Sequence, residues 1–365
     1  METIQTIYFG SAGVGKSYKV EKDIVCDELG ICTDNKDGKY NIGTEEKPRP
    51  VDIDYDNCIK TVFHPEYTYR DFMVKLSPIT NKDNQVRYEH NEGDFLKALA
   101  IAYKNILESE NDDIQNVSLV IDEINRGNSA EIFGTVFQLL DREDNGWSSY
   151  PINISNMEFN KLIELVFSKE KIKIIQKMTM DGLEGLTSKE QKDDVIIKLL
   201  KHTEIKGLLL NKQIKLPPNF SIIATMNTSD ESIYYMDSAF KRRWDWEYID
   251  ISDESNEKNK ELADKKAEIE EWKEFINKLN SFIKSHSKSI RRVEDKLIGY
   301  WFIKYHEDMT NKAIQNKLMF FLWDNVFSRD KKPLRELLGV EDSELITFGD
   351  FTLQVETFIE KIKEL

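Results

Sequence analysis

Short apolar runs alternate with polar, turn-rich stretches through the first 250 residues, and longer helical periodicities fill the remainder. Thr3–Phe9, Cys58–Phe63, Val117–Glu123 and Phe220–Met226 each read as a buried strand, and Asp245–Asp250 as a closing one. Val20, Ile24, Val25 and Leu29 keep helical spacing after the first run. Phe95–Leu107 is predicted as an amphipathic helix, with Phe95, Leu99, Tyr103, Ile106 and Leu107 on one side. Ser129–Leu140 is a further helix, and Asn145-Gly146 a hairpin turn. Two polar stretches, 33–56 and 81–92, read as surface loops, and 153–210 as a mostly helical, lysine-rich insertion. From about Ser252 three helices follow, in 257–285, 310–327 and 350–363, whose aromatic residues suit core packing. The pattern predicts an α/β core with a parallel sheet over 1–251 and a smaller all-α lid subdomain over 252–365.

Composition narrows the class. The chain has 365 residues and a formal net charge of −15, which argues against a surface wholly devoted to nucleic acid. Cys26, Cys32 and Cys58 have neither metal spacing nor a disulfide framework and read as ordinary thiols. No apolar run approaches a membrane span and the polar start is not a signal peptide, so a cytoplasmic location with no membrane contact is expected. His64 precedes a proline with no second ligand nearby and reads as structural.

The chemistry concentrates at the ends of the predicted strands. Gly10-Ser11-Ala12-Gly13-Val14-Gly15-Lys16-Ser17 fits G-x-x-x-x-G-K-[ST] at every fixed position, with a strand before it and a helix after. The glycines let backbone N–H groups turn inward on phosphate oxygens, Lys16 reaches the β- and γ-phosphates, and the Ser17 hydroxyl ligates Mg²⁺; Tyr18 adjoins this nucleotide-binding set. Val117–Glu123 delivers two carboxylates to the carboxyl edge of the sheet, where ligands of open α/β sheets bind. There Asp122 would hold Mg²⁺ through its water shell and Glu123 would polarise an attacking water. The strand Phe220–Met226 ends in Asn227-Thr228-Ser229-Asp230, which reads either as turn chemistry or as groups that hold a water or the γ-phosphate. Lys241-Arg242-Arg243 reads either as a complement to a helix dipole or as cations aimed at a nucleotide in a neighbouring subunit.

The order of these features resembles AAA+ NTPases. The strings Phe63-His64-x-x-Tyr67-x-Tyr69-x-Asp71-Phe72, Ile121-Asp122-Glu123-Ile124-Asn125-Arg126-Gly127-Asn128, Met226-Asn227-Thr228-x-Asp230, Lys241-Arg242-Arg243 and Ile298-Gly299-Tyr300-Trp301-Phe302 resemble the McrB family, GTP-driven motor subunits of modification-dependent restriction systems. The resemblance covers most of residues 1–335. It implies hydrolysis of GTP or ATP with Mg²⁺ at the interfaces of a homo-oligomeric ring, commonly a hexamer. Asn227 and Asp230 would position the hydrolytic water, and Arg242 would be the finger offered to the neighbour, with Arg243 nearby. A McrC-like partner would stimulate hydrolysis and carry the nuclease. The motor starts within ten residues of Met1, so DNA reading is expected to lie in another domain or subunit, or to be absent. The chain departs from the family at Glu231, where McrB has Arg. Asn35-Lys36-Asp37-Gly38 and Asn81-Lys82-Asp83-Asn84 miss the N-K-x-D guanine reader. A MoxR-like ATPase that remodels a protein partner is the alternative. It shares the phosphate loop and the acidic strand but does not need the Met-Asn-Thr-x-Asp string.

Overall fold

The structure is a computed structural model that describes residues 3–34, 41–42, 49–53, 56–80, 84–109, 113–181, 199, 202–228, 234–251, 266–303 and 311–365. Its centre is a five-stranded parallel sheet of β1 (Gln5–Gly10), β2 (Cys58–Val62), β3 (Val117–Asp122), β4 (Phe220–Asn227) and β5 (Asp245–Tyr248). The spatial order is β5-β1-β4-β3-β2. β3 lies between two parallel neighbours, with Val117 opposite Phe220 on one side and Ser118 opposite Cys58 on the other. Its first five residues are all buried, which is why it reads as an unbroken apolar run instead of an alternating one.

By contact density the chain divides into two compact units: Met1–Ile7 with Val20–Met226 and Ser232–Trp246, and Tyr8–Lys19 with Asn227–Glu231 and Glu247–Leu365. The first unit packs around Phe63, Phe72, Phe95, Phe133, Phe220 and Phe240, joined by the helix Asp94–Glu108, whose apolar stripe is fully buried. Arg142 is half-buried here. Its guanidinium donates to Gln5 Oε1 (3.0 Å) and to the carbonyls of Gly146 (2.8 Å), Pro217 (3.2 Å) and Phe220 (2.7 Å), tying the start of β4 to β1. Burial pushes its pKa down to about 9. The second unit packs around Trp272, Ile276, Leu279, Phe327, Phe351 and Phe358.

Several elements depart from the pattern-based expectation. The polar stretch before residue 93 is half of a β-hairpin, Val74–Thr80 paired antiparallel with Val86–Glu92 (Asn81–Asp83 lie outside the described residues). Every residue of its second strand is exposed, so no buried face imposes an alternating pattern. Within 33–56, three short strands, Cys32–Asp34, Asn41–Ile42 and Arg49–Ile53, form a small antiparallel sheet instead of a bare loop. The expected helix 129–140 breaks at Gly134 (φ 48°), continuing as a 3₁₀ turn over Gly134–Leu140. The helix expected in 350–363 is two helices, Phe348–Leu353 and Val355–Glu364, preceded by Lys332–Leu338. The turn at Asn145-Gly146 is present, with Gly146 at φ 83° and Arg142 bridged antiparallel to Ser148. Of the 153–210 insertion, helices Asn156–Val166, Lys169–Asp181 and Thr203–Leu210 are described, while 182–198 lies outside the described residues, as does the expected boundary at Ser252. Cys26, Cys32 and Cys58 are free thiols.

Candidate nucleotide site

β1 runs into the loop Gly10–Ser17, after which the chain turns helical at Lys16. Gly13 (φ 77°) and Gly15 (φ 90°) both take the left-handed conformation that favours glycine. The Lys16 side chain is buried, and its ammonium donates to the carbonyls of Gly10 (3.0 Å) and Ser11 (2.8 Å). Thus the cation is folded back over the loop that should cradle phosphate. The Ser17 side chain is exposed, and Tyr18 is half-buried.

The segment Ile298–Phe302 lies along this loop. Gly299 N–H donates to Ala12 O (3.0 Å), Trp301 N–H donates to Gly13 O (2.9 Å), and Ile298 bridges Ala12 in parallel. A Cβ on Gly299 would sit 2.3 Å from the Gly13 carbonyl carbon, and one on Gly13 would sit 2.5 Å from the Phe302 nitrogen. Backbones this close admit only glycine at both places. The segment is fixed from behind by Asn280, whose Nδ2 donates to Ile298 O (2.8 Å) while its Oδ1 accepts from Ile298 N–H (2.9 Å). Trp272 Nε1 donates to Tyr300 O (2.8 Å), and Ser11 Oγ donates to Glu294 O (3.0 Å). Sequence reasoning missed Asn280 and read Trp272 as core packing alone. The available signal was a single amide inside an otherwise apolar helical stripe.

The acidic end of β3 lies in the other unit. Asp122 Oδ1 accepts a hydrogen bond from Thr225 Oγ1 (2.9 Å), a buried hydroxyl two residues before the end of β4. Ile124 N–H donates to Thr225 O (3.0 Å), and Phe63 N–H donates to Asp122 O (3.0 Å), so both neighbouring strands clamp the turn. Glu123 adopts φ 54°, a left-handed conformation that a non-glycine residue holds only where its surroundings impose it. Thr225 is another residue whose role sequence reasoning passed over.

The remaining candidates fall as follows. Asn227 closes β4, half-buried. Asp230 and Glu231 lie outside the described residues. Arg242 is exposed at the C-cap of the short helix Ser238–Lys241. Arg243 is committed within its own chain: Nη2 pairs with Asp141 Oδ2 at 2.6 Å, Nη1 donates to Ala239 O (3.0 Å), and the guanidinium stacks 4.0 Å from the centre of the Phe137 ring. The two adjacent arginines therefore have separate environments. Phe63 belongs to the aromatic core, whereas His64 is exposed and meets Tyr67 edge-on. Tyr67 O–H donates to Asp94 Oδ2 (2.8 Å).

Each unit carries, by itself, residue types whose chemistry suits a polyphosphate with Mg²⁺. A left-handed glycine loop carries a buried ammonium, a hydroxyl follows it, and a carboxylate is oriented by a threonine. The fold is an α/β core built on a five-stranded parallel sheet, consistent with a P-loop AAA+ core, with a helical C-terminal region. No protein-family model matches the chain. It is similar to the Type II restriction enzyme BsuMI component YdiS of Bacillus subtilis (strain 168), 28% identical over 330 residues that cover 82% of this chain and 78% of that protein. It is also similar to the Type IV methyl-directed restriction enzyme EcoKMcrB subunit of Escherichia coli (strain K12), 22% identical over 249 residues, 67% of this chain and 39% of that subunit. The chain is McrB-like in sequence. Among the described residues no helix is long and apolar enough to cross a membrane.

Proposed function

We propose that the chain is a nucleoside-triphosphatase motor subunit of a McrB-like restriction assembly, acting on GTP or ATP. The observation that carries this reading is the loop Gly10–Ser17, with Lys16 buried over it and a backbone-tight segment, Ile298–Phe302, laid along it. Lys16 binds the β- and γ-phosphates, and the loop amides orient them. Ser17 and Asp122 hold Mg²⁺, which when bound neutralises charge on the phosphate oxygens. Thr225 fixes the Asp122 carboxylate for that task. Glu123 takes up the proton of the attacking water, and Asn227 with Asp230 positions that water. Arg242, exposed and outside the ion pair that holds its neighbour, is the group presented to a nucleotide in an adjacent copy. Arg243 holds the base of that short helix in place.

In this reading the active species is a homo-oligomeric ring, commonly a hexamer, working in the cytoplasm with a McrC-like partner that supplies the nuclease. DNA is read by another domain or subunit. The test is phosphate release with GTP and ATP side by side, for the wild-type chain and for Glu123→Gln. Turnover of at least one nucleotide that Glu123→Gln slows while still binding it supports the reading; no turnover of either, with a McrC-like partner present, overturns it. Mixing Asp230→Asn with Arg242→Ala chains tests the shared site, because each supplies what the other lacks. Failure to recover any activity in the mixture removes the arginine from the mechanism.

A further inference from the structure

The hairpin Val74–Thr80/Val86–Glu92 takes no part in the nucleotide chemistry, yet it is held tightly at its base. Gly93 N–H donates to Met73 O (2.8 Å), a Cβ on Gly93 would sit 2.3 Å from the Phe72 carbonyl carbon, and Glu92 pairs with Lys161 at 3.0 Å. Among the described residues it is a two-stranded sheet, open along both edges. Its two faces differ. The register sets Leu76 opposite His90, Pro78 opposite Tyr88 and Thr80 opposite Val86 on one face, with Ser77 opposite Glu89 and Ile79 opposite Arg87 on the other. Leu76, Val86 and Tyr88 are 49%, 59% and 68% exposed.

The two edges are not equivalent. Native proteins blunt open edges with proline and lysine. A proline within a paired strand keeps its nitrogen on the open side. Val74–Thr80 therefore lacks a donor at the middle of its edge, and it carries Lys75 as well. Val86–Glu92 has neither proline nor lysine, and all seven of its residues are exposed. Directly opposite residues turn their backbone groups either both inward or both outward. Tyr88, opposite Pro78, thus presents its N–H and C=O to the open side. The side chains of Arg87 and Glu89, on either side of it, have no ion-pair or hydrogen-bond partner among the described residues.

We propose that this edge is a contact between two copies of the chain, in which Val86–Glu92 pairs antiparallel with itself about a two-fold axis through Tyr88. The order Val86-Arg87-Tyr88-Glu89-His90 is what selects a second copy as the occupant. In an antiparallel pair centred on Tyr88, Arg87 of each copy falls directly opposite Glu89 of the other, so the ion pair forms twice. Tyr88 meets its own symmetry mate, and Val86 meets His90. An axis through residue 87 or 89 would instead set Arg87 against Arg87 or Glu89 against Glu89, and like charges directly opposite destabilise a strand pair. The contact is isologous, and each copy satisfies the other's open backbone groups. The two hairpins become one four-stranded sheet, with Leu76, Pro78, Val86 and Tyr88 of both copies on one face. Nothing in this contact depends on the nucleotide reading.

The experiment is sedimentation equilibrium of the full-length chain without nucleotide, in an Arg242→Ala background that removes the arginine assigned to the ring contact. Failure here therefore leaves the proposed function standing. The parent associates to dimers. Arg87→Glu and Glu89→Arg each set like charges opposite one another twice and weaken association about tenfold or more. The double exchange Arg87→Glu/Glu89→Arg restores it. Mixing the two single variants restores it too, because every glutamate again faces an arginine. Tyr88→Pro removes the outward N–H and no bond inside the hairpin, so dimers are lost while the thermal midpoint holds. The proposal is overturned if the parent stays monomeric at all concentrations, if either single reversal dimerises as the parent does, or if the mixture fails to recover. A strand of another protein as the occupant would show as a monomeric parent whose binding of that protein the double exchange does not restore, and that outcome overturns it as well.

Discussion

Asn280 offers a sharp test of how the phosphate loop is held. Its amide is buried and makes two hydrogen bonds to one residue's backbone, the N–H (2.9 Å) and C=O (2.8 Å) of Ile298, itself fully buried. Asn280→Leu keeps the side chain's volume and removes both partners at once. Two buried backbone groups are then left unsatisfied, each costing about 1–3 kcal/mol, so a loss of about 2–6 kcal/mol is expected. The change falls directly behind Gly299, which touches the loop backbone, so nucleotide affinity should fall with stability. Urea unfolding and nucleotide titration, read on the same preparations, measure both. Asn280→Ala should cost at least as much, because it adds a cavity. If the leucine variant unfolds at the wild-type urea midpoint and binds nucleotide with wild-type affinity, Asn280 does not position the segment and the account of the loop is wrong.

Other changes probe separate links. Lys16→Ala should weaken triphosphate binding about 100-fold or more through loss of charge-assisted bonds, with the fold retained by circular dichroism. Thr225→Val is nearly isosteric and removes the hydrogen bond to Asp122; a stability cost of about 1 kcal/mol and a higher Mg²⁺ requirement for turnover are expected, and an unchanged Mg²⁺ titration would sink the orienting role. Arg243→Ala should destabilise by about 2–3 kcal/mol, as it strips the partner from Asp141 and the cover from Phe137, whereas Arg242→Ala should stay within about 0.5 kcal/mol of wild type and be felt in turnover alone. Equal thermal shifts for the two arginine variants would contradict their different environments.

Much of this protein was legible in local pattern. Four of the five strands of the central sheet were announced by a short apolar run, most plainly β3 and β4, which are buried along nearly their whole length and have no polar alternation to dilute the signal; β5 is mostly exposed. The loop Gly10–Ser17 was equally plain, since its chemistry needs particular residues at contiguous positions. The exposed hairpin Val74–Thr80/Val86–Glu92 was not legible, because a strand pair with little buried surface leaves almost no hydrophobic periodicity.

The sequence by itself determined the glycine-rich turn between β1 and the helix at Lys16, the acidic strand end and the α/β-then-helical order, all of which depend on neighbours within about ten residues. Only the tertiary structure decided which of two adjacent arginines is held and which is exposed, for Asp141 lies 102 positions from Arg243. It also decided that Thr225 orients Asp122 across a separation of 103. And it showed why Gly299 must be glycine, since the crowding that forbids a Cβ comes from Gly13, far away in the chain. Periodicity records what one stretch buries; it carries no record of which distant backbone or charge will arrive beside it.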